Sequence, residues 1–147
     1  SLVPADKMRE VALYGTEVVK ITGTYDQCKE VAASFAQHRG LFLDKGLRSI
    51  AARQSMKTLA FEVCEQLGLL RDGYGKWRAP DWYIQAVSGG MGPLGVYKGF
   101  RELKQLGLID RIPALAPIQA EGCAPMVDGW RKGLEKAEPV LSPSTRI

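Results

Sequence analysis

A glycine-rich turn between a strand and a helix constrains this chain more than any other feature of its sequence. The run Trp82–Val87 predicts a strand, and Ser88–Gly92 directly after it places three glycines in five positions. Glycine lets the backbone take positive φ and approach a ligand closely. The predicted helix over 94–106 begins with unpaired N–H groups and a positive dipole end. The segment predicts an anion site, with phosphate as the usual guest; the alternative is a tight connection whose glycines only permit close packing.

Segments whose apolar residues have the spacing of a strand alternate with segments that have the spacing of a helix along the rest of the chain. Helical spacing of apolar residues predicts helices over 26–38 and 53–67, and Gly40 and Gly68 are the expected stops. β-Branched and apolar runs predict further strands over 17–22, 41–44 and 113–120. Thr24, with Gln27 three residues later, is typical of a helix start. Alternating strands and helices predict an α/β fold, a parallel-type sheet with helices on its faces.

Composition and charge narrow the classes of function. The 147 residues are 46% apolar and 24% charged, as in an ordinary globular domain, and we see no signal peptide. No apolar run approaches the roughly 18 residues of a transmembrane helix, so no membrane partner is expected. The formal charge is +4, but the basic residues are scattered. Because nucleic-acid binding proteins gather such charge in one stripe, no nucleic-acid partner is expected.

Cysteine and histidine usage bounds the remaining chemistry. Cys28, Cys64 and Cys123 lie far apart and form no C-x-x-C pair, which predicts free thiols in a reducing compartment, the cytoplasm. His38 is the single histidine and is expected at the surface or at a helix end. One histidine excludes a histidine-rich zinc site, and no metal site is predicted.

A nucleotide-binding module is a second hypothesis for the same turn. The segment Gly90–Gly95 formally matches G-x-G-x-x-G, the dinucleotide fingerprint, between a strand and a helix. Glu121, at the end of the next predicted strand, stands where a ribose-binding acid would be. Only 26 residues follow Glu121 and they show no strand, which counts against NAD because the motif normally opens a domain with further βα units.

Several motifs in register resemble one known family. Over residues 4–130 the chain resembles the fold-type II pyridoxal-phosphate-dependent enzymes, and within them the threonine synthases. The segments that carry the resemblance are Tyr14–Val19, Gly23–Asp26, Lys57–Glu62, Ser88–Gly92, Tyr97–Phe100 and Gln119–Pro125. Their common order makes the match far more specific than any one motif.

The resemblance implies pyridoxal 5'-phosphate as cofactor and assigns its phosphate to the glycine-rich turn. The residues so assigned are Ser88, Gly89, Gly90, Met91 and Gly92. In that family the Schiff-base lysine lies upstream of the matched region, so no catalytic residue is expected here. Lys57 is expected to open a core helix, and Lys98 to be a surface lysine.

The implied parent is a lyase or synthase of amino-acid biosynthesis that converts O-phosphohomoserine to threonine, with this chain as an inactive central fragment. Alternatives are a cysteate synthase-like or dehydratase-like enzyme, or a degenerate stand-alone domain. Residues 1–50 are expected in the smaller domain, 51–130 in the larger phosphate-binding domain, and 131–147 mostly in loop. The expected partner is a small amino-acid substrate, and homo-oligomer formation stays open.

Overall fold

The computed structural model describes residues 5–141 and 143–144. The chain divides into two compact units, Ser1–Asp44 and Lys45–Ile147. Its parallel strand pair and the helices packed with it confirm the predicted α/β class. No helix in the described ranges is both long and apolar enough to span a membrane.

Two helices form the regular part of the first unit, α1 (Ala5–Ala12) and α2 (Tyr25–Arg39). The predicted start of α2 is confirmed by a reciprocal capping box. The Gln27 N–H donates to Thr24 Oγ1 at 3.2 Å, and the Thr24 N–H donates to Gln27 Oε1 at 2.8 Å. Gly40 ends the helix in the left-handed conformation, φ 63°. His38 is exposed in its last turn, as predicted.

The second unit begins with two helices where the sequence predicts one. These are α3 (Ile50–Ser55) and α4 (Lys57–Asp72), after a 3-10 turn over Gly46–Arg48. At the division Ser55 Oγ donates to the Ala52 carbonyl and Thr58 Oγ1 to the Ser55 carbonyl, both at 2.8 Å. Local bonds of this kind often bend helices.

The predicted helix stop at Gly68 is wrong. The α4 helix continues to Asp72 and ends at Gly73, whose φ of 98° favours glycine. Gly68 is instead a point of close approach. A Cβ there would overlap the Lys76 carbonyl oxygen and lie 2.8 Å from the Trp77 Cα. The glycine therefore lets the chain fold back along α4.

Two parallel strands, β1 (Trp82–Ala86) and β2 (Ala114–Ile118), form the sheet. The helix α5 (Met91–Gln105) connects them, which is the crossover that a parallel pair needs. Trp82 aligns with Ala114 and Ala86 with Ile118. Both strands lie where the sequence predicts them.

The strands predicted over 17–22 and 41–44 are wrong. Among the described residues, only β1 and β2 pair as strands. A β-branched run becomes a strand only when a neighbouring strand accepts and donates its hydrogen bonds, and the first unit offers none. Val19 and Phe42 are accordingly exposed rather than packed.

The core of the second unit lies where α4 and β1 pack against α5. Phe100 and Val96 of α5 are completely buried, and so are Ala60 and Cys64 of α4. The Tyr83 ring meets the Phe100 ring edge-on, with centroids 5.7 Å apart. This contact fixes α5 against one face of the sheet.

The segment expected to be mostly loop contains the end of one more helix. After a 3-10 turn at Glu121–Cys123, the helix α6 runs over Pro125–Arg131. Proline at the first helical position starts the helix without losing a hydrogen bond. Gly129 is buried within α6, so burial as well as local propensity supports this short element. Beyond Lys132 the described residues form no further helix or strand.

Candidate functional site

The glycine loop, Ser88–Gly92, connects β1 to α5 as predicted, but α5 begins three residues early. Ser88, Gly89 and Gly90 form the bend, whereas Met91 and Gly92 are the first two residues of the helix. The predicted start at residue 94 is therefore wrong. A backbone N–H in the first turn has no intrahelical acceptor, so Pro93 in that turn loses nothing and the helix starts before it.

Gly90 is the N-cap of α5 and adopts the left-handed conformation, φ 81°. No side chain caps this helix end. A Cβ built at Gly89 or Gly90 would meet no atom within 4 Å. The two positions thus face open space, and the positive φ of Gly90 explains why glycine stands there. The uncapped N–H groups and the dipole of a 15-residue helix make this end favourable for an anion.

Parallel pairing brings the carboxyl ends of both strands to the same edge as the loop. The Val87 N–H donates to the Ile118 carbonyl at 2.8 Å, which extends the ladder to the first residue before Ser88. Open α/β sheets bind ligands in the crevice outside these strand ends. Gln119, directly after β2, is already used: its Oε1 accepts the Met126 N–H at 2.9 Å.

The structure does not favour the dinucleotide interpretation of Gly90–Gly95. Glu121 lies three residues beyond β2 in a 3-10 turn, exposed. Gly95 is explained by packing, because a Cβ there would overlap Met56 Cβ and lie 2.7 Å from the Arg53 carbonyl oxygen. This glycine allows α3 and α5 to approach, a requirement that has nothing to do with a ligand.

Two lysines lie on α5 or next to it, and neither is expected to act at the glycine loop. Lys57 is the first residue of α4, as predicted, and its ammonium group pairs with the Glu102 carboxylate of α5. Lys98 is half-buried rather than on the open surface. It lies seven residues after Met91, about 10 Å along the helix axis at 1.5 Å per residue. This separation supports the prediction that it does not act at the loop.

Shifted pKa values occur in the core rather than at the loop. Burial raises the pKa of the Cys64 thiol to about 11. Burial also raises the pKa of Tyr83. Both shifts come from desolvation, which disfavours the charged form. Within the described ranges, no cluster of histidine, cysteine and acidic side chains could hold a metal ion. The chemistry that the loop offers is binding of an anion by N–H groups and a hydroxyl.

Sequence reasoning missed Gln85, the polar residue of β1 closest to the loop. Its Oε1 is buried and has no hydrogen-bond partner among the described residues. Its amide lies directly against Gly92. The signal in the sequence is a glutamine two positions after Tyr83 in an otherwise apolar strand, which places both side chains on the same face.

Known proteins are similar to this chain over nearly its whole length. The family model described as "Pyridoxal-phosphate dependent enzyme" matches residues 2–146. Threonine synthase of Methanocaldococcus jannaschii is 29% identical over 143 residues, which are 97% of this chain and 33% of that enzyme. Threonine synthase of Mycobacterium tuberculosis is 31% identical over 140 residues, 95% of this chain and 34% of that enzyme.

A plant relative extends the comparison. Chloroplastic threonine synthase 2 of Arabidopsis thaliana is 30% identical over 140 residues, which are 91% of this chain and 25% of that protein. The chain therefore spans about a third, or less, of the length of the curated relatives it matches.

Proposed function

Because the chain belongs to the pyridoxal-phosphate-dependent enzyme family, we propose that its glycine loop holds the phosphate group of pyridoxal 5'-phosphate. The residues proposed to bind it are Ser88, Gly89, Gly90, Met91 and Gly92. The observation that carries the proposal is the uncapped start of α5 behind a left-handed Gly90. Gly89 and Gly90 offer the open space that a phosphate group needs.

Each part of the loop has a physical task in this binding. The N–H groups of the first turn of α5 donate to phosphate oxygens, and the helix dipole stabilises the negative charge. The Ser88 hydroxyl adds one more donor. The absence of side chains at Gly89 and Gly90 lets the backbone reach the oxygens directly. When bound, the cofactor supplies an electron sink for carbanion chemistry at an amino acid, and this chain orients it through its phosphate.

We further propose that the chain is the central part of a lyase similar to threonine synthase, which acts on O-phosphohomoserine. The support is the consistent similarity to threonine synthases over nearly the whole chain. A cysteate synthase-like or dehydratase-like activity is the alternative. The three cysteines, all free thiols, support placement in a reducing compartment such as the cytoplasm.

Binding is best tested with pyridoxine 5'-phosphate, which lacks the aldehyde that would react with exposed lysines. Isothermal titration is expected to give binding for this compound and at least tenfold weaker binding for pyridoxine, because only the former carries the phosphate. Equal affinity for the two would contradict the phosphate assignment. Titration with NAD and NADP tests the dinucleotide alternative in the same experiment.

The structure offers a matched pair of variants for this test. Gly90 and Gly107 stand at opposite ends of α5, both with positive φ and open space around the built Cβ. Alanine at either position costs about 1–2 kcal/mol of backbone strain. We expect Gly90→Ala to weaken binding of pyridoxine 5'-phosphate at least tenfold, and Gly107→Ala to leave it unchanged.

Two further measurements test the parent enzyme. The intact mass of the native gene product should exceed twice the 16.1 kDa of this chain if the lysine that binds the cofactor lies elsewhere in one polypeptide. The purified 147-residue chain should release no phosphate from O-phosphohomoserine. Turnover by the isolated chain would overturn the proposal that it is an inactive part.

A further inference from the structure

The geometry points to Gln85 as the positioning residue of the glycine loop, one that holds the first turn of α5 in place for the phosphate. This inference rests on the proposed phosphate role of the loop. Along β1 the side chains alternate between a half-buried face, with Tyr83 and Gln85, and an exposed face, with Trp82 and Ile84. Because Tyr83 packs against Phe100, the half-buried face is the one beneath α5.

Gln85 is the side chain that any residue larger than glycine at position 92 would meet. Gly92 lies in the helix and has no positive φ, so its conformation would suit any residue. A Cβ at this position would overlap Gln85 Nε2 and lie 3.1 Å from Cδ and 3.2 Å from Oε1. The glutamine amide therefore touches the backbone of the second residue of α5. Gly90 differs from Gly92 in both respects: its φ is 81°, and a Cβ at this position would meet no atom within 4 Å.

The unpaired oxygen of Gln85 indicates more than a space-filling role. Its Oε1 is buried without a partner in the described part of the chain. A buried acceptor without a donor is costly, whereas an apolar side chain of the same shape at this site avoids that cost. A glutamine that filled space alone would thus be less favourable than methionine. The N–H groups of the first turn of α5 lack intrahelical acceptors, and Gln85 Oε1 would lie 3.2 Å from a Cβ at Gly92 in that turn.

These observations assign a specific task to the amide. When the loop holds a phosphate group, Gln85 Oε1 accepts a backbone N–H of the loop that does not face the phosphate. The remaining N–H groups are then fixed toward the phosphate oxygens. Gln85 touches the loop and not the phosphate, so it acts through the backbone of Gly92.

The test uses Gln85→Met, which keeps the length of the side chain and removes its hydrogen bonds. Affinity for pyridoxine 5'-phosphate is measured by titration calorimetry, the ³¹P chemical shift of the bound phosphate by NMR, and the melting temperature separately. We expect an unchanged or higher melting temperature, affinity at least tenfold weaker and a changed ³¹P shift. A lower melting temperature with unchanged affinity would assign Gln85 to packing alone and overturn the inference.

A double-mutant cycle with Gly92→Ala gives an independent second test. The single change Gly92→Ala displaces the Gln85 amide and should weaken phosphate binding at least tenfold. In the pair Gly92→Ala with Gln85→Ala the added methyl group has room, so the two losses should not add. Fully additive losses would overturn the contact on which the inference rests.

If the unmodified chain binds no pyridoxine 5'-phosphate, the proposed function itself fails. If it binds and both Gln85 variants bind equally well, only the positioning role fails.

Discussion

A single methyl group at Gly99 tests how closely α4 and α5 must approach. Gly99 is buried in α5. A Cβ at this position would lie 2.7 Å from Ala60 Cβ, 2.8 Å from the Lys57 carbonyl oxygen and 3.2 Å from the Lys57 Cα. Two of these three atoms belong to the backbone of α4 and cannot turn away. Gly99→Ala therefore requires the two helices to separate.

The magnitude follows from the distances. Carbon atoms in favourable contact are about 3.5–4.0 Å apart, so a contact at 2.7 Å demands a displacement on the order of 1 Å. A gap of that size forfeits a quarter to a half of the dispersion energy between the separated surfaces, and Val96 and Phe100 lie in the same interface, fully buried. Overpacking of this kind costs about 1–3 kcal/mol, and more where backbone must move.

A helical glycine with enough room for a methyl group would behave in the opposite way. Glycine to alanine inside a helix stabilises by about 1 kcal/mol through propensity alone. Gly129 of α6 supplies this control, because a Cβ there would lie 3.4 Å from Ala137 Cα, an ordinary contact. We therefore expect Gly99→Ala to lower the free energy of unfolding by about 2 kcal/mol and Gly129→Ala to leave it unchanged or raise it.

Equilibrium unfolding in urea, followed by tryptophan fluorescence, measures both variants against the unmodified protein. The slope of the transition should stay the same, so that the shift in midpoint reports stability. If Gly99→Ala proves as stable as the parent or more so, the close approach of α4 and α5 cannot be the reason for the glycine. The packing argument would then be refuted.

Two other predictions concern groups between the same helices. Because burial raises the pKa of Cys64 to about 11, the folded state keeps a proton that the unfolded state releases. The contribution of Cys64 to the free energy of unfolding is therefore complete below pH 9, and the free energy falls by up to about 3 kcal/mol as pH rises toward 11. Urea titrations from pH 7 to 11 should show this fall in the parent and in Cys28→Ala, and a clearly smaller one in Cys64→Ala, where the raised pKa of Tyr83 still contributes. The pair between Lys57 and Glu102 is partly exposed, so Lys57→Met should cost at most about 1 kcal/mol at low salt; a loss that persists in 1 M NaCl would contradict an ionic origin.

Local signals in the sequence were sufficient where one short segment supplies its own partners. The α2 start was predictable because Thr24 and Gln27 satisfy each other's N–H groups. The glycine loop was predictable because a strand, three glycines and a helix follow in direct succession. The start of α5 was predicted three residues late, because glycine and proline are weak helix formers whose cost vanishes in a first turn.

Elements that need distant partners were not predictable in the same way. The β-branched run at 17–22 has the composition of a strand, but the first unit places no strand beside it. Gly68 has the pattern of a helix stop, yet α4 continues and the glycine serves the close passage of Lys76. In both cases the outcome depends on atoms that are distant in sequence, and a local sequence pattern does not include them.

The sequence by itself determined the α/β class, the family resemblance and the position of the glycine loop, because periodicity and local turn chemistry are written in consecutive residues. The tertiary structure decided what each glycine is for. Gly90 satisfies a left-handed turn, Gly99 admits α4, and Gly92 admits the Gln85 amide. Identical residues at the start of one helix and within it thus differ in their role, because conformation is set locally but steric space is set by the atoms that the fold brings against them.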